Sequence, residues 1–285
     1  MTHAASATGI LYIVATPIGN LGDMTDRAKE ILRSVDVVAA EDTRHSGRLL
    51  QHFGINTRMS SYHDFSDEAR VTGFLGLLYE GQSIALISDA GTPLISDPGY
   101  RLVMRAREMG IRVVPIPGAC ALTAALSAAG MPSDRFVFEG FPVARRAARL
   151  KQFESLSSET RTLIFYESPH RILESLDDMS SAFGVEREAV LCRELTKTFE
   201  TIHGDRLGIL QSWLREDSNR QRGEFVVLVR GAEQQFSGDC STEGNRVLDI
   251  LLSELSVKQA ASLAARITGV KKKLLYQRAL QRAEE

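Results

Sequence analysis

Apolar positions along the chain fall into short dense runs separated by stretches with helical spacing. Residues 10–15, 37–40, 84–87 and 111–116 are short runs dominated by apolar or small residues and predict strands, the 84–87 strand buried. Between the first two, Ala28, Ile31, Leu32 and Val35 recur at helical intervals, with Thr25 placed to cap that helix. Residues 46–53, 71–79, 100–109 and 119–129 carry further helical patterns, the last built from very small side chains. Strand and helix alternate, which predicts a mostly parallel sheet covered by helices.

Gly130-Met131-Pro132-Ser133 interrupts the alternation and predicts a domain boundary. Beyond it, strands are predicted at 136–139, 162–166, 189–194, 199–203 and 225–229, and helices at 150–156, 172–183 and 207–214. Thr196-Lys197-Thr198 reads as a hairpin turn between two of these strands. Polar residues 232–245 read as a linker, and 247–255, 259–267 and 272–280 as a small helical tail. The expected organisation is therefore a disordered leader (1–9), an N-terminal α/β domain (10–131), a C-terminal α/β domain (132–231), the linker, and a basic tail (246–285).

Charge changes this picture in one place. The chain of 285 residues has a formal net charge of -2. Lys258, Arg266, Lys271, Lys272, Lys273, Arg278 and Arg282 all lie between residues 255 and 283, a span without a single acid. A basic appendage on an acidic body predicts a polyanionic partner, with a merely solvated helix face as the alternative. No run of 18 apolar residues exists, so no membrane span is expected. The first residues lack the basic and apolar regions of a signal peptide. Cys120, Cys192 and Cys240 have neither disulfide-framework nor zinc spacing, which fits reduced thiols in a cytoplasmic protein. No His or Cys pair has metal-ligand spacing, so no metal is expected.

The loop after the 84–87 strand is the densest in unusual residues. Ser88-Asp89-Ala90-Gly91-Thr92-Pro93-Leu94-Ile95-Ser96-Asp97-Pro98-Gly99 combines glycines that admit φ > 0 with prolines that stiffen the chain. A rigid loop at the end of a parallel strand is where open α/β sheets bind ligands. The plainer alternative is a connection in which Asp97 caps the next helix. Five further clusters follow predicted strands. Thr16-Pro17-Ile18-Gly19-Asn20-Leu21-Gly22-Asp23 holds the place of a nucleotide loop, but it is neither GxGxxG nor GxxxxGK[ST], and Pro17 has no N–H for a phosphate. Ala40-Glu41-Asp42-Thr43-Arg44 offers Asp42 or Thr43 as a cap and leaves Glu41 and Arg44 as site candidates. Pro115-Ile116-Pro117-Gly118-Ala119-Cys120-Ala121 enters the small-residue helix. Phe165-Tyr166-Glu167-Ser168-Pro169-His170-Arg171 carries an aromatic, an acid, an imidazole and a guanidinium, or simply starts a helix with Pro169 in its first turn. Cys192-Arg193-Glu194-Leu195-Thr196-Lys197, with Gly223-Glu224, completes the set. Clusters spread over both halves predict one shared cleft. Arg145, Arg146, Arg149 and Lys151 form a basic cluster suited to phosphates or to the wet face of a helix.

In length and order these motifs resemble the small-subunit ribosomal RNA methyltransferase branch of the tetrapyrrole methylase superfamily, from Leu11 to about Gly231. A weaker echo follows at Thr268-Gly269 and Leu275-Tyr276. The resemblance implies two α/β domains with S-adenosylmethionine in the cleft between them, a small helical tail, and a homodimer. It implies transfer of a methyl group to the ribose 2′-hydroxyl of a decoding-centre cytidine in 16S rRNA on the small ribosomal subunit. Pro17, Ile18, Asp89, Gly91, Leu94, Cys120, Ala121 and Tyr166 would line the cofactor pocket, Asp89 standing in place of a Gly-Asp-Pro motif. The sulfonium methyl is already activated, so the task is alignment plus a group that accepts from the hydroxyl. Glu41, Glu167, Glu194 and Lys197 are the candidates for that group. Arg44, Arg145, Arg146, Arg149 and Arg171, with Lys151, are the candidates for RNA phosphates. The chain departs from the branch at His63-Asp64-Phe65-Ser66-Asp67, at Pro142 and Val143, and at Arg145, Cys120 and Cys192. A porphyrinoid or diphthine methylase, or a ribosome-binding factor without turnover, are the competing readings.

Overall fold

The computed structural model describes residues 8–62, 68–233 and 242–283. Residues 1–7, the 63–67 loop, Cys240 and the middle of the expected linker lie outside them. The chain forms two compact units, divided between Ala232 and Glu233.

The larger unit contains two five-stranded sheets. Strands β1 (Ile10–Val14), β2 (Val37–Ala40), β3 (Met59–Ser61), β4 (Ile84–Ile87) and β5 (Arg112–Ile116) form the first, in the order β3-β2-β4-β1-β5. Every pairing in it is parallel. Helices α1 (Asp26–Ser34), α2 (Thr43–His52), α3 (Glu68–Tyr79) and α4 (Tyr100–Glu108) connect these strands. β2 and β4 are buried at every position, which is why they read as unbroken apolar runs instead of alternating ones. Thr25 caps α1 by accepting from the Ala28 amide. The short edge strand β3 escaped the sequence reading because Met-Ser-Ser carries neither alternation nor β-branched bulk. Gly9, placed in the expected leader, belongs to the fold: its amide donates to the Leu78 carbonyl at 2.7 Å.

The second sheet holds β6 (Phe136–Gly140), β7 (Thr162–Glu167), β8 (Glu188–Arg193), β9 (Thr201–Arg206) and β10 (Phe225–Val229), in the order β6-β7-β10-β8-β9. Only β6 and β7 pair in parallel; β7–β10, β10–β8 and β8–β9 are antiparallel. Helices α6 (Arg146–Ser155), α7 (Ile172–Phe183) and α8 (Leu207–Glu216) bury one face, through Phe153, Leu176, Met179 and Leu210. The other face takes α5 (Ala121–Ala128). Leu122 and Ala125 of this helix pack on Ile164, Val226 and Leu228. The small-residue helix follows the first sheet in sequence but packs on the second, ahead of the boundary expected at 130–133. Its small side chains are explained by this close approach.

The smaller unit has three described helices, α9 (Thr242–Leu252), α10 (Val257–Thr268) and α11 (Lys272–Ala283). They share a core of Leu248, Ala260, Ala261, Ala264, Leu275 and Ala279. α10 ends at Gly269, whose φ of 73° is the left-handed cap that glycine takes most easily. Among the described residues no helix is long and apolar enough to cross a membrane.

Candidate active site

The loops at the carboxyl ends of β1, β2 and β4 converge, as expected for an open parallel sheet. The β1 and β4 loops are stitched together: Thr16 and Gly91 exchange backbone hydrogen bonds of 2.8 and 3.0 Å. Gly91 has φ +83°, a conformation a side chain would strain. Asp89 accepts from the Asp42 amide at 3.1 Å and so ties the β4 loop to the β2 loop. Thr92 donates to the Ala119 carbonyl at 3.0 Å and fixes the entry to α5. Asp42 caps α2 through the Arg44 and His45 amides, which hold its carboxyl below the usual range. Asp97 does not cap α4; the cap position is Gly99.

These loops and the α5 face of the second sheet enclose a cavity of about 450 Å³. That is within the size range of small-molecule sites. Of the expected pocket residues, Ile18, Asp89, Gly91, Cys120, Ala121 and Tyr166 line it. Pro17 and Leu94 do not. Pro17 is buried beneath the loop. Leu94, at φ +73°, turns its side chain into the core of the first sheet, where it packs beside Gly99. The carboxylates of Glu41, Asp89, Asp97, Glu167 and Glu224 line the cavity, and no lysine, arginine or histidine among the described residues does. Phe141 and Leu195 also line it. Nothing in the sequence pattern marked Phe141 as a wall residue, since it owes its place to an edge-on contact with Tyr166.

Tyr166 anchors one wall. Its phenol oxygen accepts from the Leu122 amide at 3.0 Å, and its ring meets Phe138 and Phe141 edge-on at 4.8 and 5.6 Å. Burial, with Cys120 beside it, pushes the phenol's pKa up. Burial also pushes the Cys192 thiol up to about 12, so Cys192 stays protonated at neutral pH.

The four candidate catalytic groups differ sharply. Glu167 is buried, and its oxygens accept from the Ser168 amide at 2.8 Å, from the Ser175 hydroxyl, and from Arg171 at 3.0 Å. It pins the turn of residues 168–171, so Pro169 precedes α7 rather than starting it. Lys197 lies 2.9 Å from Glu194 and 2.7 Å from Glu224. Burial opposes its charge, but the two carboxylates outweigh burial and raise its pKa. Burial likewise opposes ionisation of Glu194, yet Lys197 and the Glu224 amide hold its pKa below the usual range. Its two carboxylate partners therefore favour the ammonium form of Lys197. Glu194 and Thr196 in this turn have φ of 52° and 67°, and the Thr196 hydroxyl is buried without a partner. Positive φ at a β-branched residue is a genuine outlier, and such strain gathers at functional sites. Glu41 lines the cavity directly from the end of β2.

The expected phosphate-binding cluster does not survive intact. α6 starts four residues earlier than its apolar spacing predicts, and this turns Arg149 inward beside Phe153. Arg149 is 0% exposed and is paired with Asp178 at 2.8 Å and Glu174 at 3.3 Å, so it is unavailable to RNA. Arg171 is spent on Glu167 and on the Pro142 carbonyl at 3.1 Å. Arg146 pairs with Asp178 but stays largely exposed, Arg145 and Lys151 are exposed, and the Arg44 side chain is 91% exposed.

Residues 10–211 match the family Tetrapyrrole (Corrin/Porphyrin) Methylases, and residues 239–283 match the RsmI C-terminal HTH domain. The chain is 58% identical over 277 residues to ribosomal RNA small subunit methyltransferase I of Pseudomonas aeruginosa, covering 97% of this chain and 98% of that one. It is 53% identical over 276 residues to the protein of the same name from Vibrio cholerae, covering 97% and 96%. Among solved structures, a cobalt precorrin-4 methyltransferase of cobalamin biosynthesis matches with a TM-score of 0.59 at 18% identity, over 81% of this chain and 98% of that one. A diphthine synthase matches with a TM-score of 0.59 at 16% identity, over 78% and 90%. At such identities these two speak for the fold alone. The chain belongs to the tetrapyrrole (corrin/porphyrin) methylase family and, within it, to the group of ribosomal RNA small subunit methyltransferase I proteins.

Proposed function

We propose that the chain uses S-adenosylmethionine to methylate the ribose 2′-hydroxyl of a decoding-centre cytidine, cytidine 1402, in 16S rRNA of the small ribosomal subunit. The observation that carries this reading is the near full-length similarity to relatives named for that activity class. The cavity supports it. An elongated donor with a sulfonium and an ammonium group suits a pocket with an apolar floor at Ile18, Cys120 and Ala121 and five acids among its lining residues. When bound, the donor supplies an activated methyl group, and what remains is alignment.

Glu41 is assigned the role of accepting from the 2′-hydroxyl. The support for it is the place of Glu41 in the cavity lining, directly after β2. Asp89 and Tyr166 position the loops that frame the cavity. Of the named candidates, Arg44, Arg145, Arg146 and Lys151 remain exposed and are the ones proposed to meet RNA phosphates. The chain acts as a cytoplasmic homodimer in this reading; the edge strand β9, which carries exposed Ile202 and follows exposed Phe199, supports a pairing surface.

The test is labelled methyl transfer to small subunits that lack the modification, followed by nucleoside mass analysis. A 2′-O-methylcytidine product is expected. Label on a porphyrinoid or protein substrate instead, or none in RNA despite cofactor binding, overturns the reading. Glu41→Gln is expected to lower kcat roughly 10²–10⁴-fold with cofactor affinity retained.

A further inference from the structure

The cavity lining includes five acids and no cation; Glu167 and Glu224 are paired with Arg171 and Lys197 just outside it, so the lining supplies no positive group to hold a phosphodiester chain. An RNA substrate must therefore be held by its backbone elsewhere, with little more than one nucleoside entering the cavity. The acid-free stretch of residues 255–283, with its seven basic residues, belongs to the smaller unit. α10 and α11 are joined by three residues, Gly269, Val270 and Lys271, with Gly269 in the left-handed conformation. This is the length and chemistry of a helix-turn-helix connection. Leu275 and Ala279 face the core, while Lys272, Lys273, Tyr276 and Gln277 form the exposed face of α11. Among the described residues no carboxylate pairs with Lys271, Lys272 or Lys273, whereas Arg282 is tied to Asp249.

We propose that this three-helix unit is the RNA-backbone anchor of the enzyme, with Lys271, Lys272 and Lys273 contacting phosphates and Tyr276 lying against the nucleic acid beside them. The inference rests on the reading of ribosomal RNA as substrate. Phosphate contacts of this kind position the substrate without reading its sequence. The unit therefore contributes to capture and not to the methyl-transfer step.

The test uses the full chain and its K271Q/K272Q/K273Q variant on small subunits lacking the modification. These positions are exposed, and cations in a first helical turn oppose the helix dipole, so their removal does not weaken α11. The expected result is a KM at least about 10-fold higher near 0.1 M salt, with kcat and calorimetric cofactor affinity unchanged. The log–log dependence of affinity on salt should become shallower by roughly 2 to 3, and the triple Lys→Arg variant should behave as the parent. Unchanged KM and salt slope, or a loss confined to kcat, overturns the proposal. So does weakened binding to intact subunits with unchanged binding to naked 16S RNA, which would mark a protein-docking face. If the parent chain methylates no RNA, the functional reading fails; filter binding of 16S RNA by parent and variant then judges the anchor by itself.

Discussion

The side chain of Lys197 occupies the space that a side chain on Gly19 would need. A Cβ placed on Gly19 would fall 2.5 Å from Lys197 Cγ and 2.8 Å from its Cε. Gly19 belongs to the loop after β1 and Lys197 to the turn after β8, so this contact joins the two sheets beside the cavity. Gly19 also has φ +149°, which side chains rarely adopt. Gly19→Ala is expected to destabilise the larger unit by about 1–3 kcal/mol in chemical denaturation. The cost should shrink when Lys197 is also Ala, because the steric share of the penalty then disappears. Equal costs in both backgrounds would show that the contact does not matter.

The Glu194–Lys197–Glu224 cluster predicts a pH window. The lowered pKa of Glu194 stabilises the fold above its ordinary value of 4.5, and that contribution is lost as pH falls through the lowered value. The raised pKa of Lys197 stabilises below its ordinary value of 10.5 and is lost as pH rises through the raised one. Between these limits the parent should exceed Glu194→Gln in stability, and the two curves should converge at strongly acid pH. Melting curves of both proteins across pH check this. With Glu41 as the proposed acceptor, Lys197→Met should leave the alkaline limb of the kcat profile unshifted.

Glu167 separates structural support from chemistry. Glu167→Gln leaves Arg171 without its carboxylate and disturbs the bond from Ser175. A stability loss of about 1–3 kcal/mol is expected. Cofactor affinity should fall with it, because the turn of residues 168–171 forms part of the cavity wall. A collapse of kcat with stability and cofactor affinity intact would instead make Glu167 the proton acceptor.

Two arginines of one cluster should behave in opposite ways. Arg149→Met leaves Asp178, which is 1% exposed, with Arg146 but without its buried partner, and is expected to cost about 1.5–3 kcal/mol. The salt dependence of RNA binding per folded molecule should not change. Arg145→Gln should leave the melting temperature within about a degree or two and flatten that salt dependence by roughly 0.7–0.9. Filter binding across a salt series, paired with thermal melts, distinguishes the two.

Much of the fold was legible in the chain itself. β4, β10 and α7 begin and end where their apolar runs and periodicity place them. Buried strands and amphipathic helices write their burial directly into residue spacing, and the small-residue composition of α5 announced a close approach. The loops that converge on the cavity were legible for the same local reason, since glycine and proline at strand ends have few other uses.

Which residues reach the cavity, and in what ionisation state, was decided only by tertiary structure. Spacing cannot say that α6 starts at Arg146 and thereby buries Arg149, because an arginine on a helix looks the same whether an aspartate waits in the core or not. Nor can it say that Lys197 is clamped by carboxylates 3 and 27 positions along the chain. The sequence by itself determined most of the elements, though not β3 or the start of α6, together with the two-part basic and acidic charge division and the family. Packing of one sheet's loops against the other sheet's face determined which charges are paired, which are buried, and which remain to meet a substrate. The physical reason is that secondary structure follows from interactions a few residues apart, whereas pairing and desolvation depend on groups that only the fold brings within a few ångströms.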